Sequence, residues 1–122
     1  MKIENIKFKA KELGTGEWKV GFLQRDMDYK PCILIANKED HSWYWTQIDP
    51  LTICMFTGMK DYENQDIYEG DILVEKGYYK FEVRYINGIF AAVYGGDDKF
   101  LFNPINLAAL SEVCTVCGNK FD

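Results

Sequence analysis

The sequence has no long apolar run. Nothing in it approaches the roughly 18–20 consecutive apolar residues that a membrane-spanning helix requires, so the reading has no membrane span. Imidazole is scarce: His41 is the single histidine among 122 residues. Cysteine is sparse too, and the four present are not needed as staples, because a chain of this length buries enough core to fold without disulfides or metal. Positive charge is in deficit, with 14 Lys and Arg against 19 Asp and Glu and a net charge of -5. Such a balance disfavours nucleic acid as a partner, since phosphate neutralisation takes an excess of Lys and Arg. There is no linker, low-complexity tract or internal repeat, and the opening residues are charged and polar rather than secretory in pattern. The expectation is one cytoplasmic domain with its cysteines reduced.

What the chain does have is aromatic and strand-like. Apolar residues make up 48%, with 8 Phe, 8 Tyr and 3 Trp. Residues 5–11 alternate apolar and basic, and residues 17–23 alternate again across Gly14-Thr15-Gly16, which predicts a hairpin. If the first of these is a strand, Lys7, Lys9 and Lys11 share one face. Cys32 to Ala36 reads as a short buried strand, Asn37 to Asp40 as a turn, and Ser42 to Ile48 as a strand stopped by Asp49-Pro50. On that strand Trp43 and Trp45 share a face and Tyr44 takes the other, so at least one face needs cover; what the chain cannot cover, a partner must. The clearest local signal is Asn87-Gly88 between two strand-like runs, a type I′ hairpin. Its register places Tyr85 opposite Phe90, Val83 opposite Ala92 and Phe81 opposite Tyr94. That face is expected to be core, and the face of Glu82 and Arg84 wetter. Gly95 to Asp98 reads as a turn, Phe100 to Phe102 as a strand, and Pro104 to Leu110 as the one short helix. The fold class expected is mainly β, built of short antiparallel strands.

Three groups of residues invite chemistry. Cys114 and Cys117 form a single CxxC and are the candidate metal ligands. A structural zinc site wants four ligands, and the rest would have to come from Cys32, Cys54 and His41 on scattered strands. A redox pair wants its first Cys at a helix N-terminus, whereas this stretch reads as a strand. Odd spacing on a strand sends the two thiols to opposite faces. His41 with Cys32 would be the pairing for a thiol nucleophile, but His41 lies in a polar turn. Asp61, Glu63, Asp66, Glu69 and Asp71 suggest a cation loop. The EF-hand spacing fails, because the sixth position from Asp61 is Asp66 rather than Gly; an Asx-turn or hydrogen bonds to nearby backbone N–H groups would explain Asp61 and Asp71 instead.

Residues 56–72 read FTGMKDYENQDIYEGDI. This stretch resembles the hallmark segment of the YopX family of phage and prophage proteins, F/Y-T-G-L-x-D-x-x-G-x-x-I-Y/F-E-G-D-I. Ile6 to Lys11, Thr15 to Leu23 and Cys117 to Asp122 resemble that family's opening, its T-G-E-W segment and its I-G-N ending. The motif positions are Phe56, Thr57, Gly58, Asp61, Ile67, Tyr68, Glu69, Gly70, Asp71, Gly118 and Asn119. Asn64-Gln65 stands where the family usually has Gly, and Asn tolerates the left-handed turn implied there.

The resemblance implies an SH3-like β-barrel in the C-terminal half. The expected division is an N-terminal β subdomain, 1–60, and a barrel subdomain, 61–122, packed as one unit. It implies no assigned activity, no catalytic residue and no cofactor. The leading expectation is a non-enzymatic phage or prophage accessory protein that self-associates and binds a phage or host macromolecule. The alternative is a nucleic-acid-binding module using Lys7, Lys9 and Lys11 with the barrel aromatics. The third is a metal- or thiol-dependent enzyme.

Overall fold

In the computed structural model of the chain, residues 1–37, 39–77, 79–94 and 105–122 are described. The chain divides into two compact units, Met1–Phe56 and Thr57–Asp122. Strands dominate both, and every strand pair whose register is defined is antiparallel.

The first unit contains β1 (Phe8–Lys11), β2 (Trp18–Arg25), β3 (Pro31–Ala36), β4 (Trp43–Gln47) and the start of β5 (Cys54–Lys60), in the order β4-β3-β2-β1-β5. The β1–β2 hairpin forms as expected, with Phe8 opposite Gly21 and Lys11 opposite Trp18. Short polar side chains build the turns. Asp26 Oδ1 accepts from the N–H groups of Asp28 and Lys30, and Asp40 Oδ1 accepts from Ser42 N–H. Asp49 caps a 3-10 turn, Pro50–Thr52, by accepting from Leu51 N–H at 3.0 Å, while Pro50 needs no partner at the first helical position.

The sheet curls. Leu13 N–H donates to Gln47 O, Asp49 N–H donates to Lys11 O, and Glu12 bridges Ile48, so the end of β1 meets the end of β4. Ala10, Ile33 and Ile48 form the enclosed core, with Phe8, Leu23, Ile35 and Ile53 packed on it. Gly21 faces this side. A Cβ there would collide with the carbonyl oxygen of Leu34, so glycine is what lets β3 come so close.

In the second unit the rest of β5 runs beside β6 (Asp66–Tyr68), with Thr57 Oγ1 donating to Ile67 O at 2.7 Å. There follow β7 (Asp71–Glu75), β8 (Tyr79–Ile86), β9 (Ile89–Tyr94), β10 (Ile105–Asn106), the helix α1 (Leu107–Ser111) and β11 (Thr115–Asn119). Their sheet has the order β10-β9-β8-β7-β11. No pairing that closes it into a barrel occurs among the described residues. Ile67, Leu73, Phe81, Val83, Ala92, Leu107, Leu110 and Cys114 make its core.

The Asn87-Gly88 hairpin has the expected register, with both turn residues at positive φ. Its expected core face is corrected at the ends. Phe81, Val83 and Ala92 are buried, but Tyr85 and Tyr94 are 55% and 48% exposed. Tyr85 lies beside the turn and Tyr94 at the strand end, beyond the packed centre of the sheet. The opposite face is not simply wet, because Ala91 and Val93 are also buried. The helix is shifted as well. Ile105 and Asn106 pair with Ala92 and Ala91 as strand, and the Asn106 side chain caps the helix by accepting from Ala108 N–H. The turn expected at 95–98, the strand expected at 100–102 and Pro104 lie outside the described residues.

Candidate functional site

All of the hallmark motif after Phe56 lies in the second unit, where its polar residues hold backbone. Asp61 is buried; its Oδ1 accepts from the N–H groups of Glu63 and Gln65, and its Oδ2 accepts from Val116 N–H at 2.8 Å. Asn64, in the gap between them, takes φ +66°, the left-handed turn for which the family usually has Gly. Asp71 is 1% exposed and accepts from Tyr68 N–H and Asn119 Nδ2, at 2.8 and 2.9 Å. Asn119 Oδ1 in turn accepts from Phe121 N–H, and Asn119 N–H donates to Asp122 Oδ2. Gly70 sits against this knot at φ +83°, where a Cβ would press on Asn119 and Lys120. Both carboxylates accept from N–H groups and hold turns together.

The other chemistry candidates are kept apart. Cys114 lies buried just before β11, while Cys117 is exposed at the bulge where β11 slips against β7 between Val116 and Gly118. Burial, and then the charge of Glu75, push the Cys114 thiol above its ordinary pKa, which keeps it protonated and a poor nucleophile. Cys32 is buried on β3 opposite Gln24 and Gln47, and His41 is exposed in the turn beyond Ala36. Four strand residues alone put about 13 Å between them. Lys60 Nζ holds Asp66 at 2.9 Å. No group of three or more His, Cys, Asp or Glu side chains able to hold a metal occurs among the described residues.

A binding surface is found on the first unit. Directly paired residues share a sheet face. Lys9 pairs with Val20, Lys11 with Trp18, Phe22 with Leu34, and Leu34 with Trp45. The face turned away from the Ala10–Ile33–Ile48 core therefore carries the three lysines, Trp18, Phe22, Trp43 and Trp45. The lysines lie on rings: Lys7 Nζ is 4.6 Å from the Phe56 centroid, and Lys9 and Lys11 are 4.6 and 5.5 Å from that of Trp18. Trp43 leans on Phe22 at 6.3 Å. On one side of the tryptophan pair, a groove of about 340 Å³ runs past Lys7, Val20, Phe22 and Trp43. On the other, one of about 220 Å³ is bounded by Arg25, Met27, Cys32 and Trp45. Trp43, Tyr44 and Trp45 remain 57%, 47% and 54% exposed, so both faces of β4 present aromatic surface to solvent.

Charge is divided unevenly along the chain. Met1–Phe56 holds eight basic and eight acidic residues, and Thr57–Asp122 six and eleven, so the net charge of -5 belongs wholly to the second unit. The aromatic face stands on a neutral body. Sequence reasoning singled out Trp43 and Trp45 but could not place Phe22 and Trp18 beside them, because strand order across β2–β3–β4 is set by long-range pairing. The family described as YopX protein matches residues 8–122, nearly the whole chain. Comparison with curated proteins gives no match.

Proposed function

The chain belongs to the YopX protein family, and we propose that it works without catalysis, by self-association and by contact with another macromolecule of phage or host through the aromatic face of its first unit. The observation that carries this reading is the exposure of Trp43, Tyr44 and Trp45 on the outermost strand of the sheet. Trp43 and Trp45 lie side by side on one face with Phe22 against Trp43, and contiguous exposed apolar surface of this kind marks interaction sites. The use of the Asp61 and Asp71 carboxylates to hold turns supports the non-enzymatic part of the proposal.

The second unit carries a scaffolding role in this reading. In its five-stranded sheet the last strand, β11, lies beside β7, the strands β8, β9 and β10 follow β7 as a meander, and a short helix precedes β11. That order supports the SH3-like arrangement the family resemblance implies. The test is multi-angle light scattering of the purified chain with a Trp43→Ala/Trp45→Ala variant. The expected result is a wild-type species heavier than one chain that becomes monomeric in the variant. A wild-type monomer at all concentrations, with no host protein retained on the immobilised chain, rejects the proposal.

A second reading is single-stranded nucleic acid, favoured by one observation: Lys7, Lys9 and Lys11 share their face with four aromatics. It predicts a gel shift at low salt that weakens steeply as salt rises. Absence of any shift at low salt removes it.

A further inference from the structure

The open edge of β4 is narrow, and its hydrogen-bonding pattern specifies what fits it. Asn37 N–H donates to Ser42 O and Ile48 N–H to Pro31 O, which fixes the alternation along the β3–β4 ladder. Ser42, Tyr44, Thr46 and Ile48 turn their backbone groups toward β3. Trp43, Trp45 and Gln47 turn theirs outward. Gln47 O is taken by Leu13 N–H at 3.0 Å, and at the other end His41 leaves the strand with φ +60°. Among the described residues the N–H and C=O groups of Trp43 and Trp45 have no partner, and the window is these two residues long.

We propose that a second copy of this chain closes the window by antiparallel pairing of β4 with β4 about a two-fold axis at Tyr44, so that the sheet continues from one molecule into the next. The inference rests on the self-association reading above and names its contact. In this register Trp43 of each copy faces Trp45 of the other as a hydrogen-bonded pair, and Tyr44 faces Tyr44 as a non-bonded pair. All the outward groups of the window are then satisfied. A two-fold centred on Trp43 would need the outward groups of residue 41, where the strand has ended. One centred on Trp45 would need Gln47 O, which is occupied. Paired residues share a face, so the four tryptophans form one ladder on the outer side of the joined sheet and the two tyrosines meet on the other.

Charge and area fit the same occupant. From His41 to Ile48 the chain carries no Asp, Glu, Lys or Arg, and the unit around it is neutral; the carboxylates that reach β4, Glu12 and Asp26, are bonded to the Thr46 hydroxyl and the Gln47 amide, so the Trp43–Trp45 window itself brings no charge to the contact. The usual defences of an exposed edge, a charge, a proline or a bulge, are missing from β4. Half-burying three aromatics supplies about 300 Å² per copy. Leu13, which bonds the end of β4, and Met27, which borders the groove beside Trp45, are 53% and 97% exposed. With these the two copies together bury about 1,000 Å², the lower limit for a specific interface and the size of a reversible dimer.

The test combines sedimentation over a concentration series with position-specific cross-linking. Wild type is expected to pass from monomer to dimer with concentration. Trp45→Pro removes an N–H that the fold does not use, a change edge strands tolerate; it is expected to weaken the dimer at least tenfold with an unchanged melting temperature. In a Cys117→Ser background, which removes the exposed native thiol, Tyr44→Cys is expected to oxidise to a covalent dimer, because the two positions face each other within disulfide reach. Trp43→Cys, whose opposite number is residue 45, is expected not to. A dimer unmoved by Trp45→Pro and not cross-linked at position 44 overturns this pairing while leaving the wider reading in place. A chain that stays monomeric at every concentration overturns this pairing together with the self-association part of the wider reading.

Discussion

Asp71 and Asn119 are far apart in sequence, yet one accepts from the other at 2.9 Å in a buried knot. Both partners of Asp71, the Tyr68 N–H and the Asn119 amide, are donors. A carboxylate offers acceptors to both, whereas an amide turns a donor toward one of them. Asp71→Ala is expected to cost about 2–4 kcal/mol by stranding buried donors. Asp71→Asn is expected to recover less than half of that, as read by denaturant unfolding. Recovery to wild-type stability by Asn would mean the charge is not what the knot requires.

Asp26 works at the surface. Hydrogen bonds from Lys30 N–H, then from the Gln47 amide, hold its carboxyl below the ordinary aspartate pKa. A lowered folded-state value gives stability that is present above about pH 4, the unfolded value, and lost as pH falls through the folded one. The melting-temperature gap between wild type and Asp26→Ala is therefore expected at pH 7 and expected to close toward pH 2. A gap that widens in acid would contradict the sign.

At the scale of elements, hairpins are where sequence spoke most plainly. The Asn87-Gly88 register follows from two residues whose backbone angles few others adopt, with φ of +50° and +84°. A Cβ on Gly88 meets nothing within 4 Å, so Gly88→Val should cost about 1–2 kcal/mol through backbone strain alone. Gly21→Ala tests the opposite case. Its cost comes from the Leu34 carbonyl and is expected to exceed that of Gly88→Val, at about 3 kcal/mol or loss of folding. Thermal melts of the two variants together separate conformational from steric demand. Nothing local marks Gly21, because the clash arises from the neighbouring strand β3. The start of α1 was unreadable for a similar reason: residues 105–106 pair with β9 before the helix begins, and that pairing overrides a proline-led helical pattern.

At the scale of the molecule, the charge of the whole chain misdescribes its parts. The acidic excess belongs to Thr57–Asp122, and the exposed aromatics to a neutral unit. An association driven by uncharged β4 should be indifferent to salt. The dimer dissociation constant is expected to change less than twofold between low and high ionic strength, measured by sedimentation. A steep salt dependence would instead point to the lysines and to the nucleic-acid reading.

By itself the sequence determined the family, the mainly β class, two hairpins and the register of the one at Asn87-Gly88, because these depend on residues adjacent in the chain and on backbone angles that only a few side chains allow. Only the tertiary structure decided that Asp61 and Asp71 also hold the distant Val116 and Asn119, that Trp18 and Phe22 join Trp43 on one face, and that β4 ends the sheet with two residues of open edge. Those outcomes depend on which distant strands pair, and pairing energy is spread over whole faces of side chains rather than written at any one position.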